Sequence, residues 1–229
     1  PALVSEVILG CVTQHGEQAG NIAKTSALFA GWPESVSGLT VHRFCSSSID
    51  AIALAGLKVA TGQTPAIVAG GVEMMSRVPM LSDAARVFSD PAYAVQHQML
   101  LMGSGADLIA TRIGASREEC DAVALQSQQR AARAQQEGRF QSIIPIETPG
   151  GLISEDECIR ADMTAERLAR LPAAFAELGA AGADQLQLAK FSELGAIEHV
   201  HTMGNSPAMC DAGALVLLGD AALGESLGI

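Results

Sequence analysis

Cys45 lies between a short extended segment and the predicted start of a helix, within residues 41–51. Free backbone N–H groups and the positive end of a helix dipole favour the thiolate, which is the nucleophilic form of a cysteine. Free cysteines are also among the most buried residue types and often act as small apolar side chains. Local sequence therefore leaves two interpretations of Cys45 open, a reactive thiol and an inert core residue.

A helix is predicted directly after Cys45. Its apolar and small residues recur at spacings of three and four, and Gly62 marks its end. Few polar positions interrupt this pattern, so we expect a buried helix. Residues 65–71 then form an apolar run that ends in two glycines, which is typical of a core strand leading into a tight turn. The helical spacing is set by Ile49, Ile52, Ala53, Gly56, Leu57 and Ala60.

Strand and helix patterns alternate through much of the remaining chain. Apolar runs predict further strands at residues 4–10, 40–44 and 214–218. Residues 21–30 have a helical pattern, and Ser116 and Glu119 have the spacing of a capping box that opens a long helix ending at Gly138. Such alternation predicts a layered α/β fold.

The middle of the chain differs in character from its two ends. Prolines, an acidic run at 155–157 and an alanine-rich stretch at 173–183 replace the strand patterns there. We therefore predict that residues 76–195 form a mostly helical domain, inserted into an α/β domain made of residues 1–75 and 196–229.

The composition limits both the core and the partners of the protein. The 229 residues are 48% hydrophobic but only 3% aromatic, so the core must be aliphatic. A net charge of −11 argues against a general nucleic-acid or anionic-membrane surface, because such partners need a basic footprint. A few arginines and helix N-termini can still hold an anionic small ligand.

The five cysteines indicate neither a zinc site nor a disulfide framework. They are odd in number, widely separated and free of C-x-x-C spacing. The acidic run has no second cluster at metal-ligand spacing, so no metal is predicted. A reducing cytoplasm is the simplest compartment. Neither a membrane-spanning stretch nor a signal peptide is predicted from the hydropathy pattern.

A series of short motifs runs through nearly the whole chain. The motifs occupy residues 6–14, 20–24, 41–45, 69–76, 102–103, 116–119, 138–140, 156–164 and 203–206. In order and spacing they resemble the thiolase family of acyl-CoA C-acyltransferases, in particular the 3-ketoacyl-CoA thiolases of degradative type. The series as a whole is more specific than any single motif in it.

The resemblance implies a thiolase-like layered fold, with a mixed sheet, a buried helix and an inserted loop domain that covers CoA. It implies that Cys45 accepts the acyl group of 3-ketoacyl-CoA and passes it to free CoA. It further implies fatty acid β-oxidation, no cofactor beyond CoA as co-substrate, and a homodimer or homotetramer. The CoA-lining residues implied are Met102, Phe175, Gly204, Asn205 and Ser206.

Part of the machinery that the resemblance implies has no counterpart in these 229 residues. Thiolases use a catalytic asparagine, a Gly-His-Pro histidine and a second cysteine in a Cys-x-Gly turn, all in a C-terminal half. The sequence contains no Gly-His pair and no Cys-x-Gly. We therefore expect a chain that is cut at both ends and holds only the nucleophile half of the site. The alternative is a non-catalytic thiolase-like subunit that binds CoA or another chain.

A few positions depart from the family pattern within the matching motifs. They are His42 for Asn, Ser48 for Gly, Asp50 for Gln and Pro207 for Ser. His199 and His201 precede the turn at Gly204, outside the region of Cys45. We expect both histidines to be structural or solvated, not to replace the missing base.

Overall fold

The computed structural model describes residues 2–228, which divide into two compact units. The sheet unit comprises the residues up to 85 and from 209 onward, and the inserted unit comprises residues 86–208. The insertion was predicted at 76–195, so both boundaries lie later in the chain. Ser76 stays with the sheet unit because its backbone N–H donates to the Asp211 carboxylate at 2.9 Å.

The strands, in chain order, are β1 (Glu6–Gly10), β2 (Ser37–Val41), β3 (Ala66–Met74), β4 (Ile146–Thr148), β5 (Gly151–Ile153) and β6 (Asp211–Gly219). The helices are α1 (Ile22–Phe29), α2 (Ser47–Ala60), α3 (Arg86–Ser89), α4 (Pro91–His97), α5 (Met102–Ile113), α6 (Arg117–Gln136), α7 (Ala165–Ala169), α8 (Ala176–Leu178), α9 (Asp184–Lys190) and α10 (Ala221–Leu227). Short 3-10 and π-helical turns lie at Gly16–Gln18 and Gly179–Ala183.

The sheet unit is built on one sheet with the strand order β2-β1-β3-β6. The first three strands are parallel, and β6 runs antiparallel to β3. This arrangement confirms the predicted α/β fold with a mixed sheet. The carboxyl ends of the parallel strands meet at one edge, where Gly10 pairs with Val41 on one side and with Gly71 on the other.

Alternating residues of the strands bury themselves against helices on opposite faces of the sheet. Val7 and Leu9 of β1 pack in one cluster with the alanines of α1. Ile8 packs in the other cluster with Ala51 and Ala55 of α2, both fully buried. Because alanine is small, the helix axes can lie close to the sheet, which fits the low aromatic content.

The expectation that α2 is buried holds for only one of its faces. Ile49 and Leu57 are 69% and 63% exposed, although both fit the helical apolar pattern. The reason is that α2 is apolar around most of its circumference, while the sheet of its own unit covers one side.

In the inserted unit, α6 begins with the predicted capping box, in which Ser116 and Glu119 bond to each other's backbone N–H groups. The β4–β5 hairpin is the small antiparallel sheet of this unit. Within residues 2–228, no helix has the combined length and apolarity needed to cross a membrane.

Candidate active site

Cys45 lies in a sharp turn between β2 and α2. It immediately precedes Ser46, the N-cap residue of α2. A backbone hydrogen bond of 3.0 Å from Ser46 N to the Arg43 carbonyl closes the turn. Cys45 is exposed on the sheet unit and does not contribute to its core.

The residue before Cys45 has a strained backbone. Phe44 has a φ of +47°, which bulky side chains rarely adopt. Such strain persists only where the surroundings hold it in place. Here the buried Ser47 does so, since its Oγ accepts from Arg43 N at 2.8 Å and donates to the Phe44 carbonyl at 2.6 Å. We call residues 43–47 the elbow.

The N-terminus of α2 supplies positive electrostatic potential beside the elbow. The side chain of Ser46 does not cap this 14-residue helix, and of the first-turn N–H groups that of Ser47 donates to the Phe44 carbonyl at 3.1 Å. The dipole of such a helix favours a negative charge at this end. A thiolate on Cys45, or an oxyanion formed next to it, would be stabilised here.

Two glycines let the N-terminus of α2 approach the carboxyl ends of β1 and β3. A Cβ on Gly10 would lie 2.5 Å from the backbone of Ser47 and Ser48, closer than atoms can pack. A Cβ on Gly71 would lie 2.0 Å from Ser48 Oγ. Ser48, a departure from the family pattern, therefore fits because Gly71 has no side chain. The elbow is thus placed at the strand ends, where open α/β sheets bind ligands.

The second departure near Cys45, Asp50, forms an ion pair with Arg43 of the elbow. Its Oδ2 lies 2.7 Å from Arg43 Nε, and the arginine side chain is 73% exposed. An ion pair this exposed contributes little to stability. It does bring a cation and a carboxylate next to Cys45.

A polar network that the sequence did not predict lies at the carboxyl end of β3, around Glu73. Glu73 of β3 accepts hydrogen bonds from Val12 N at 2.9 Å and from the buried Gln18 Nε2 at 2.8 Å. Gln18 Oε1 in turn accepts from Met74 N at 2.7 Å. The available signal was a carboxylate two residues after the glycine pair of an apolar strand, because a charge that is partly removed from solvent needs partners.

Cys11, a second and buried cysteine, lies within electrostatic reach of Glu73 in this network. Burial, and next to it the negative charge of Glu73, raise the pKa of Cys11 to about 11. Cys11 is therefore a neutral thiol at physiological pH and, unlike Cys45, has the character of a core residue.

In the inserted unit, Phe175 packs against Gly103, the residue that follows Met102. Met102 is the first residue of α5 and is 75% exposed. The Phe175 ring lies so close to Gly103 that a Cβ there would be 2.1 Å from the ring. Beside Met102 opens a cavity of about 270 Å³. Its apolar lining includes Leu100, Leu101, Leu108, Leu186 and Phe191.

The Gly204-Asn205-Ser206 turn lies near Phe175 in the same unit. Ala174 N donates to the His201 carbonyl at 2.9 Å, which joins the segment before Phe175 to the segment before the turn. Gly204 packs on Leu168, since a Cβ on it would come within 2.6 Å of that side chain.

The Asn205 side chain is used inside the protein. Its Nδ2 donates to Asp121 Oδ1 at 2.8 Å and to the Val200 carbonyl at 3.1 Å, and its Oδ1 accepts from Thr202 N at 2.7 Å. Asn205 therefore fixes the shape of the turn, and both of its N–H donors are already occupied.

A cluster of two aspartates and two histidines lies beneath this turn, and of the four only Asp107 is fully buried. Asp107 of α5 is fully buried. Its carboxylate contacts His199 Nδ1 at 2.8 Å and His201 Nδ1 at 2.6 Å. His199 Nε2 contacts Asp184 of α9 at 3.0 Å. The side chains of both histidines are therefore engaged in contacts inside the unit. Among residues 2–228, no group of three or more His, Cys, Asp and Glu is arranged to hold a metal ion.

The fold and the site together define a layered α/β protein with a helical insertion and an exposed cysteine at a strand-to-helix elbow. A sequence profile of the thiolase N-terminal domain matches residues 1–219. The chain belongs to the thiolase family.

Individual relatives agree with this assignment. A 3-ketoacyl-CoA thiolase of Bacillus subtilis is 33% identical over 99% of this chain and 56% of its own length. A beta-ketoadipyl-CoA thiolase of Pseudomonas aeruginosa is 40% identical over 73% of this chain and 47% of its own. The crystal structure of the Bacillus anthracis acetyl-CoA acetyltransferase matches with a TM-score of 0.74 and 31% identity, over 99% of this chain and 56% of that one. The chain therefore spans about half the length of these relatives.

Proposed function

We propose that this chain supplies the nucleophile and the CoA-covering part of an acyl-CoA C-acyltransferase that cleaves 3-ketoacyl-CoA with CoA. The observation that carries the proposal is the exposed Cys45 in a strained elbow at the start of α2. Membership of the thiolase family gives that cysteine its proposed chemistry.

The reaction proceeds in two halves. The Cys45 thiolate attacks the C3 carbonyl of 3-ketoacyl-CoA, and the oxyanion that forms is stabilised near the N-terminus of α2. The C2–C3 bond then breaks, its electron pair leaves with the acetyl-CoA fragment, and that fragment takes up a proton. The acyl group remains on Cys45 Sγ as a thioester. The thiolate of a second CoA attacks this thioester, releases an acyl-CoA shortened by two carbons and frees Cys45.

The inserted unit binds CoA through a mostly apolar surface. Met102 and Phe175 offer apolar contacts, and the cavity beside Met102 offers room for an apolar part of the ligand. Gly204 and Ser206 contribute backbone groups and a hydroxyl, while Asn205 keeps the turn in shape through its internal hydrogen bonds.

The names of the relatives and the resemblance support the proposed substrate class. The B. subtilis relative is named for 3-ketoacyl-CoA and the P. aeruginosa relative for beta-ketoadipyl-CoA, so both names place a ketone at C3 of a CoA thioester. We assign the chain to the degradative direction and to fatty acid β-oxidation, and we expect a cytoplasmic homodimer or homotetramer.

Selective alkylation tests the role of Cys45. Iodoacetamide at neutral pH should label Cys45 faster than Cys210, an exposed cysteine of the same unit that serves as the matched control. CoA or acetyl-CoA should slow the labelling of Cys45 only, and peptide mass mapping gives both rates. Equal rates at the two cysteines, unaffected by CoA, would support the alternative of a non-catalytic thiolase-like subunit.

A turnover assay tests whether this chain holds only the nucleophile half of the catalytic site. The base and the second cysteine implied by the family have no matching positions in these 229 residues. The purified chain should therefore acquire an acetyl group on Cys45 from acetyl-CoA slowly, if at all, and should not cleave acetoacetyl-CoA at an ordinary enzyme rate. Cleavage at such a rate, followed by the absorbance of the substrate, would contradict this division.

A further inference from the structure

The contacts of His199 define its protonation state. Nδ1 faces Asp107 Oδ2 at 2.8 Å and Nε2 faces Asp184 Oδ2 at 3.0 Å. A carboxylate is an acceptor only, and a neutral imidazole carries a proton on one nitrogen. A neutral His199 would therefore hold a lone pair against one carboxylate. The arrangement fits the imidazolium, which donates to both aspartates.

Several charged groups face this ring. Asp107 approaches from α5 and Asp184 from α9, and His201 of the same segment shares Asp107 through a 2.6 Å contact. Cys120 of α6 lies within electrostatic reach of both Asp107 and Arg117. Since two carboxylates converge on His199, loss of its proton leaves them facing each other across a neutral ring.

Of the two carboxylates, Asp184 has fewer hydrogen-bond donors, because Asp107 also accepts from backbone N–H groups. Asp184 Oδ1 is buried and has no hydrogen-bond partner within the described part of the chain. A Cβ on Gly179 would lie 2.6 Å from that oxygen, so backbone excludes solvent on this side. A buried carboxylate without a partner costs folding free energy. The stability of the contact between His199 and Asp184 therefore depends on the His199 proton.

The cluster holds the base of the turn proposed to bind CoA. Asp107 Oδ1 accepts from the backbone N–H groups of Val200 and His201, each at 3.2 Å. The next residue, Thr202, begins the turn, because its N–H is bonded to Asn205 Oδ1. Movement of His199 away from α9 would therefore shift the start of the turn.

We propose that Asp107 and His199 are positioning residues for the CoA-binding turn, and that the proton on His199 sets the affinity of the inserted unit for CoA. This inference rests on the function proposed above for the turn. With the proton bound, residues 197–206 are held to α5 and α9. Without it, repulsion between the Nε2 lone pair and Asp184 releases the segment from α9, and CoA binds more weakly.

The pKa of His199 sets the direction of the pH dependence. Burial alone would lower the pKa of His199, but hydrogen bonds to Asp107 and Asp184, together with their charges, outweigh it and raise the pKa above its ordinary value. A group with a raised pKa in the folded state stabilises the fold fully below its unfolded pKa, which is about 6.5 for histidine. That stabilisation is lost as the pH rises through the folded pKa, so the segment is held at pH 6 and released on the alkaline side.

The experiment measures the segment and CoA binding separately. Hydrogen exchange of residues 197–206, expressed as protection factors, and the CoA dissociation constant by calorimetry are recorded between pH 6 and pH 9. In the wild-type chain, protection and affinity should both fall with rising pH, the affinity on the order of tenfold, as is usual for coupled sites. Asp184→Asn should flatten both profiles, because an amide can pair with either form of His199. His97→Gln, which changes an exposed histidine of the same unit, should leave both profiles as in the wild type.

The outcomes distinguish this inference from the proposed function. CoA phosphates also titrate near pH 6, so the ratio of wild-type to Asp184→Asn affinity is compared at each pH. We call the attachment of residues 197–206 to α9 through His199 and Asp184 the clamp. Wild-type protection that does not change with pH would overturn the clamp even if CoA binds. Protection that falls with pH in a chain that binds no CoA at any pH would leave the clamp in place and refute the CoA-binding role of the turn. If Asp184→Asn does not fold, the NMR titration of the His199 ring decides, and a His199 pKa at or below the ordinary histidine value of about 6.5 would overturn the clamp.

Discussion

Burial separates the cysteines of the sheet unit into thiols with different chemistry. Cys45 is exposed at a helix N-terminus, whereas Cys11 is buried behind the Glu73 network with a pKa raised to about 11. Reactivity requires both the thiolate and access, so residue type alone could not distinguish the two.

Cys11 should resist alkylation in the native chain. At pH 8 the native chain should be alkylated at Cys45 and Cys210 while Cys11 stays unmodified, because its thiol is both neutral and inaccessible. In denaturant, Cys11 should react as fast as the others, which is the control for its intrinsic reactivity. Native labelling of Cys11 at the rate of Cys210, measured by peptide mass mapping, would contradict this account.

The backbone of Phe44, the strained residue of the elbow, should favour glycine over alanine. Phe44→Gly and Phe44→Ala remove the same ring, but only glycine tolerates a φ of +47° without penalty. The glycine variant should therefore be more stable than the alanine variant by about 1 kcal/mol. Thermal or urea unfolding measures the difference. At the exposed helical position Ile49 the order should reverse, with alanine more stable than glycine by roughly 0.8–1 kcal/mol.

At the scale of elements, the site depends on how closely α2 meets the strand ends. Gly10 and Gly71 leave the space that Ser47 and Ser48 occupy, and the first turn of α2 carries the elbow with it. The apolar spacing of α2 predicts a helix, but it contains no information on this close approach.

Gly10→Ala tests the close approach. The added methyl would overlap the backbone of Ser47 and Ser48, at 2.5 Å, so α2 must shift. We expect a loss of stability of about 1–3 kcal/mol and slower alkylation of Cys45. Gly56→Ala is the matched control within α2, because its Cβ meets nothing closer than 3.8 Å. That variant should gain up to about 1 kcal/mol and leave Cys45 labelling unchanged, and an equal effect of both changes would contradict the packing argument.

At the scale of the whole molecule, the sheet unit has an exposed apolar strand. β6 is an edge strand, and Leu215 and Leu217 are 64% and 53% exposed on it. The outer face of α2 adds Ile49 and Leu57. Exposed apolar edge strands pair with other chains, even where the net charge is strongly negative.

The isolated 229-residue chain should therefore self-associate. Light scattering should show dimers or larger species whose share falls on dilution, and Leu217→Lys should reduce it by placing a charge on the edge. Val123→Lys is the control, since Val123 is 71% exposed but lies on α6 of the inserted unit. A monodisperse monomer for the wild-type chain would contradict this prediction.

Periodic and local features of the protein could be predicted from its sequence. The helix after Cys45, the long helix from the Ser116 capping box and the strands around Gly10 and Gly70 follow from spacing and stop signals that act within a few residues. The boundaries of the insertion could not, because the contact of Ser76 with Asp211 joins residues far apart in the chain.

By itself, the sequence determined the order of elements, the family and the candidate nucleophile, since each is encoded in motifs along the chain. Only the tertiary structure decided that Cys45 is exposed while Cys11 is buried. It also decided that the Asn205 amide forms hydrogen bonds within the protein, and that His199 bridges Asp107 and Asp184. These features depend on burial and on pairing between distant residues, and both are set by packing.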